Sequence, residues 1–197
     1  MIADGFNSAG DVFASVMTYM GNRIAEQPED ETHPYGHGKA EYIFSMIISF
    51  SLLLVAYQIA RSSIDAILHR QTFTFSWWLL AAALLTILIK LALFIYTYRT
   101  GKKVDSLLLV ANSEDHRNDV FVTASTLLGI VLGTFGIYWV DGLVGFCISI
   151  WIAYTGIRIF QSAYAVLMDT NVDRTYMEDI TRMIRSVEGV DHVDDVI

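Results

Sequence analysis

Two pairs of polar residues, each spaced four positions apart, interrupt the apolar stretches of this 197-residue chain. Asn7 and Asp11 form one pair, and Asp115 and Asp119 form the other. Residues i and i+4 lie on the same face of an α-helix, so each pair would present its oxygen atoms in one direction. Carboxylate and amide oxygens suit hard cations such as Mn²⁺, Mg²⁺ and Ca²⁺. The spacing therefore predicts a cation site built from two helices.

The two pairs are expected at the same depth in their helices. At about 1.5 Å of rise per residue, Asp11 lies roughly 18 Å from Arg23, and Asp115 lies roughly 18 Å from Lys103. The other member of each pair, Asn7 or Asp119, lies roughly 24 Å from the same basic residue. Because the two helices run in opposite directions, the four oxygen donors would meet at one level and could surround one ion.

Ion pairing with basic side chains is the alternative role for these acids. Lys90 and Arg117 lie in the apolar stretches and are the candidate partners, although Lys90 could also extend its ammonium to the membrane interface. We favour the cation site, because ionisable groups at bilayer depth are costly and two pairs coincide at one level. His116 is expected to point off the face of Asp115, either as a hydrogen-bonded helix residue or as a ligand.

Membrane-spanning helices are the elements that must position these residues. Hydrophobic residues make up 54% of the chain and charged residues only 17%, whereas soluble domains carry about 25% charged residues. The net charge of −8 argues against nucleic-acid binding, and the single cysteine excludes a disulfide framework. A spanning helix needs about 20 mainly apolar residues. The expected fold is an all-α polytopic bundle with spans at 3–24, 40–67, 75–98, 107–136 and 139–165.

The basic residues indicate an orientation and a domain boundary. Arg23 flanks loop 25–39 and Lys39 lies in it, and further basic residues lie in loop 99–106 and in the C-terminal tail, so these parts are expected on the cytoplasmic side. The chain is expected to divide into a transmembrane part, 1–168, and the beginning of a soluble domain, 169–197. In that second part an amphipathic helix precedes residues 190–197, which we expect to form a strand.

Four segments resemble the cation diffusion facilitators, a family of divalent-metal transporters: ADGFNSAGD at 3–11, HPYGHGKAE at 33–41, DHRND at 115–119 and LMD at 167–169. The first and third segments resemble the family's second and fifth helices. The resemblance implies that the four residues of the two pairs are the transport ligands. Zinc-transporting members usually have histidine where this chain has Asp115, and the combination found here is similar to the manganese branch of the family.

The resemblance also implies a function. It implies export of Mn²⁺ from the cytoplasm in exchange for protons, with Fe²⁺ or Zn²⁺ as alternative cargo and with no enzymatic activity or fixed cofactor. Metal binding needs ionised ligands, so protons would compete the metal off. It further implies a homodimer in the cell (inner) membrane with a cytoplasmic C-terminus. A non-transporting membrane partner of a longer relative, and a magnesium or calcium channel, are the remaining alternatives.

Three further features follow from the resemblance. The family has six spans, so the first helix and most of a ferredoxin-like C-terminal domain are expected to be missing from this chain. Asp30, His33 and His37 match positions that hold a second, loop metal in some zinc members, although a solvated loop without metal is the favoured interpretation. Lys39 and Asp169 match a charge interlock found in relatives.

Overall fold

A computed structural model describes residues 2–68, 77–134, 139–168 and 174–187, together with 189 and 192, and gives only the backbone for 2–9, 134 and 174–178. Within this part of the chain there are six helices: α1 (Ile2–Ala25), α2 (Ala40–Leu68), α3 (Trp77–Lys103), α4 (Leu107–Thr134), α5 (Trp139–Leu167) and α6 (Arg174–Arg185). The all-α membrane bundle expected from the sequence is confirmed. The strand expected over 190–197 lies outside the described residues, apart from His192, which belongs to no helix or strand.

Three of the described helices are long and apolar enough to cross a membrane. They are α2, α3 and α5, whose most apolar windows have mean hydropathies of 2.1, 2.5 and 1.7. Helices α1 and α4 carry the two polar pairs, which lower their hydropathy. The role of α1 and α4 as spans stays a prediction, as does the boundary at residue 168.

Small residues allow α2 and α5 to pack closely against each other. A Cβ atom on Gly142 of α5 would lie 2.8 Å from the carbonyl oxygen of Ser63, and one on Gly156 would lie 3.3 Å from that of Ser49. Between membrane helices the apolar side chains gain little by leaving lipid, so association depends on such close approach. This pair is the most extensive helix–helix contact in the bundle.

A tight connection joins α3 to α4 and holds α4 in place. Gly101 lies so close to α4 that a Cβ atom there would be 3.0 Å from the backbone nitrogen of Val110. Asp105 turns the chain with a φ of 53°, a left-handed conformation that aspartate tolerates better than most residues. The amide of Leu108 donates to Glu41 Oε1 of α2 at 3.2 Å, which places an acidic group at the N-terminus of α4.

Helix α1 packs against both α2 and α4 near its C-terminal end. A Cβ atom on Gly21 would lie 2.5 Å from Leu108 Cδ2 and 2.9 Å from Phe44 Cβ, so only glycine fits this position without a shift. The close approach brings α1 beside α4. As a result, Asp11 of α1 faces the polar residues of α4.

Candidate metal centre

Two carboxylates from different helices bind the same cationic group. The ammonium of Lys90 in α3 donates to Asp11 Oδ2 in α1 at 2.6 Å and also donates to Asp119 Oδ2 in α4. The Lys90, Asp11 and Asp119 side chains are 16%, 29% and 15% exposed, so the ion pairs are largely shielded from solvent. Three helices thus contribute one group each, and the aspartates of α1 and α4 face each other across a single positive centre.

Lys90 takes the ion-pairing role that the sequence left open, and it faces the bundle. Arg117 does not pair with these aspartates: its guanidinium binds Glu114 of the same helix and donates to Thr155 Oγ1 at 3.5 Å. The position of Lys90 in the sequence already indicated that it lies at the level of the polar pairs. It lies about 13 residues, or roughly 20 Å, before Lys103, which is the level expected for the polar pairs.

A cluster of three potential ligands lies on α4. Asp115, His116 and Asp119 each offer one donor atom, and these atoms all lie within 4.8 Å of one another. His116 is buried, while both aspartates are partly buried. Asp115 Oδ2 and His116 Nδ1 have no hydrogen-bond partner among the described residues. Buried polar atoms without a hydrogen-bond partner need another partner, and a bound cation would supply one for these two ligand atoms.

His116 was expected to point off the face of Asp115, with a ligand role left open, and the structure places one of its ring nitrogens near both Asp115 and Asp119. It lies three residues before Asp119, and residues i and i+3 are neighbours on a helix surface. The three-residue spacing of His116 and Asp119 is the signal in the sequence that places the imidazole beside this carboxylate. The consequence is chemical: an imidazole lies beside a donor set that was expected to contain oxygen atoms alone.

The charge of the cluster suits a divalent cation. The three carboxylates of Asp11, Asp115 and Asp119, with the one ammonium of Lys90, leave a formal charge of −2 when all are ionised. The buried Asn112 Oδ1, also on α4, has no hydrogen-bond partner among the described residues. Asn7 lies on α1 four residues before Asp11, but its side chain is outside the described part, so its role stays a prediction.

The loop after α1 brings its three predicted residues together. His33 Nδ1 lies 3.2 Å from Asp30 Oδ1, and His37 Nε2 lies 3.5 Å from Asp30 Oδ2. Hydrogen bonds from the Thr32 hydroxyl, at 2.7 Å, and from the His33 amide, at 2.6 Å, hold the pKa of Asp30 well below its usual range. One carboxylate and two imidazoles are typical zinc ligands. Binding of a metal by this loop stays a prediction.

The predicted interlock between Lys39 and Asp169 also stays a prediction. Lys39 precedes α2 in the described part, whereas Asp169 lies outside the described residues. The structure therefore describes only one of the two side chains.

Comparison with known proteins identifies the family. Residues 1–168 match the family described as cation efflux transmembrane domain. The manganese efflux system protein MneS of Bacillus subtilis is 34% identical over 200 residues, which cover 100% of this chain and 67% of MneS. The manganese efflux system protein MneP of the same organism is 27% identical over 201 residues, covering 98% of this chain and 67% of MneP. An uncharacterized transporter of Methanocaldococcus jannaschii is 31% identical over 196 residues, covering 100% of this chain and 69% of that protein. The chain therefore belongs to the cation efflux family, the cation diffusion facilitators that its motifs resemble, and is a membrane transporter of divalent metal cations rather than an enzyme.

Proposed function

We propose that this protein exports Mn²⁺ from the cytoplasm in exchange for protons. The main support is the convergence of Asp11 of α1 and Asp119 of α4 on one cationic group, because two helices that share a cation can share a metal ion. Asp115 lies beside them and adds a third hard oxygen donor, which suits manganese. The relatives MneS and MneP are manganese efflux proteins, which supports the same cargo.

Lys90 has a part in the proposed exchange. In the structure its ammonium bridges the carboxylates of Asp11 and Asp119, so an arriving Mn²⁺ must displace the ammonium to bind both. The metal then binds to ionised carboxylates. Protons that reach the site from the opposite side neutralise these carboxylates and release the metal, because metal and protons compete for the same oxygens. Lys90 returns to its ion pairs as the site is deprotonated.

Zn²⁺ or Fe²⁺ is the second candidate cargo, and one observation favours it. A ring nitrogen of His116 lies within 4.8 Å of the carboxylate oxygens of Asp115 and Asp119. Imidazole nitrogen is a common ligand of zinc and iron and is less suited to manganese than oxygen is. The site would therefore bind a cation that takes His116 as a ligand with a different affinity from a cation that binds the oxygen atoms alone.

Metal uptake into proteoliposomes tests the proposal. We expect Asp119→Asn to lower the initial rate of Mn²⁺ uptake at least about 100-fold, because removing one partner of a buried charge site costs about 3–5 kcal/mol. Asp105→Asn is the matched control, since asparagine also tolerates the left-handed turn conformation and the residue lies outside the site. We expect its rate to be unchanged.

The same vesicles separate the alternatives. Uptake by Asp119→Asn at the unsubstituted rate would show that the proposed site is wrong. A rate of uptake that does not depend on the pH gradient would contradict proton exchange and favour a channel. The absence of any metal flux would favour a non-transporting partner. Competition between Mn²⁺, Fe²⁺ and Zn²⁺ for uptake identifies the preferred cargo.

The homodimer and the orientation belong to the same proposal. We place the protein in the cell (inner) membrane, and we orient its C-terminus towards the cytoplasm because the basic residues favour that orientation. Cysteine introduced at position 102, in a variant lacking Cys147, should resist impermeant thiol reagents applied to intact cells. Cysteine at position 70 should react with them. The reverse pattern would overturn the orientation.

A further inference from the structure

A groove with a volume of about 340 Å³ opens between α3, α4 and α5, at the end of the bundle where 104–106 connect α3 to α4. Helix α4 forms its floor, and among the described residues α3 and α5 do not contact each other across it. One basic side chain from each helix lines the groove: Lys102, Arg117 and Arg158. The cavity is therefore open on the side between α3 and α5, and each of its three walls carries one basic side chain.

Two of the three cations have no carboxylate partner among the described residues. Arg117 is neutralised by Glu114. The Lys102 ammonium instead lies 5.9 Å from the ring centre of Tyr98, and the Arg158 guanidinium lies 5.9 Å from that of Tyr154. Aromatic faces orient these cations without cancelling their charge. The groove thus has a formal charge of +2 in a chain whose net charge is −8.

The mouth of the groove, where Lys102 lies, is at the depth of lipid headgroups. Helix α5 has 29 residues and is about 44 Å long, whereas the hydrocarbon core of a bilayer is about 30 Å thick. A centred helix therefore extends roughly 7 Å beyond the core at each end. Arg158 lies about nine residues, or roughly 14 Å, before the end of α5, so its long side chain can reach the interface. Lys102 lies at the end of α3, within the interface itself.

We propose that this groove binds the phosphate of an anionic phospholipid headgroup. Basic pockets between membrane helices recognise such headgroups, particularly in the cytoplasmic leaflet, which is where the orientation favoured by the basic loops places this end of the bundle. Lys102 and Arg158 supply the charge, and the hydroxyl of Ser162, five residues before the end of α5, lines the same groove and can donate to phosphate oxygens. This lipid site is separate from the metal centre.

Lipid titration of the purified protein, followed by native mass spectrometry, tests the proposal. The probes are dioleoylphosphatidylglycerol, dioleoylphosphatidylcholine and inorganic phosphate. We expect the anionic lipid to bind more tightly than the zwitterionic lipid. Lys102→Gln and Arg158→Gln should each weaken its binding about fivefold, and the double variant about 25-fold, since each basic residue near an anionic surface contributes a factor of this size.

Two variants serve as controls. Lys103→Gln removes a neighbouring charge that does not line the groove, so binding should be unchanged. The double variant Lys102→Arg with Arg158→Lys keeps both charges and should keep binding, which shows that loss in the glutamine variants is not misfolding. Equal affinity for the two lipids, or equal losses in Lys103→Gln and Lys102→Gln, would overturn the proposal. Binding of free phosphate as tight as that of the anionic lipid would overturn the assignment to a lipid.

Discussion

Replacing Lys90 with methionine should tighten the binding of Mn²⁺ to the metal centre. The Lys90 ammonium binds Asp11 at 2.6 Å and also binds Asp119, so the metal must displace it before it reaches both carboxylates. Methionine keeps an unbranched, flexible side chain in α3 and removes the charge. In that variant the carboxylates are free of their internal competitor.

The size of the effect follows from the two ion pairs. Unit charges about 4 Å apart attract each other by about 4 kcal/mol at an effective dielectric constant of about 20. Desolvation of the buried ammonium offsets much of this attraction, and a hydrogen bond to a charged group contributes about 1.5–3 kcal/mol net. If displacing Lys90 opposes metal binding by that amount, its removal lowers the Kd about 10- to 150-fold. Without the lysine, protons compete more strongly for the carboxylates, which reduces the gain in affinity. We therefore expect the Kd for Mn²⁺ to fall about 10- to 100-fold.

Equilibrium titration of the purified protein with Mn²⁺ at neutral pH measures this change. Lys90→Arg keeps the charge, so its Kd should not fall. Lys103→Met removes a lysine from the end of the same helix, away from the site, and should leave the Kd unchanged. Because tighter binding slows release, Lys90→Met should also lower the maximal rate of Mn²⁺ uptake into proteoliposomes.

An unchanged or weaker affinity in Lys90→Met would refute the displacement of Lys90 by the metal. The melting transition of the variant must be recorded beside its Kd. A folded variant that binds Mn²⁺ no more tightly would show that the two ion pairs only hold α3 against α1 and α4. Loss of binding in Asp119→Asn would in that case still support the metal centre itself.

Three other predictions concern the cargo, the loop and the interlock. Asp115→His should raise the ratio of Zn²⁺ to Mn²⁺ uptake, because imidazole replaces a carboxylate, and an unchanged ratio would contradict the proposed basis of selectivity. The lowered pKa of Asp30 means that its hydrogen bonds stabilise the loop above the usual carboxyl pKa of about 4 and are lost as pH falls through the lowered value. Asp30→Asn should therefore speed amide exchange at His33 at neutral pH, whereas loss of protection in the unsubstituted protein already above about pH 4 would contradict this account. Lys39→Ala and Asp169→Ala should each weaken dimers, and the double variant should be little worse, whereas additive losses would mean that the two residues do not interact.

The helical bundle and the family could be predicted from the sequence because their signals are local. Apolar runs long enough to cross a bilayer predict helices wherever they occur, since a membrane leaves the backbone no other way to satisfy its hydrogen bonds. The spacing of Asp115 and Asp119 likewise places both residues on one helix face without reference to the rest of the chain. The motifs that resemble the cation diffusion facilitators are also short contiguous segments, and comparison with known proteins confirms the family.

The basic group that meets the aspartates of α1 and α4 depended on how the helices pack. Lys90 and Asp11 are 79 positions apart, and no local pattern distinguishes pairing between them from a lysine directed to the interface. Close contacts, such as those at Gly21 and Gly101, set the distance and rotation of α1, α3 and α4, and these decide which side chains meet. Packing also decided that Lys90, and not Arg117, meets the two aspartates, whereas the partner of Arg117 is local, since Glu114 lies three residues away on the same helix. The sequence by itself determined which residues lie on which helix, and the tertiary structure decided that three of those helices bring their charges to one point.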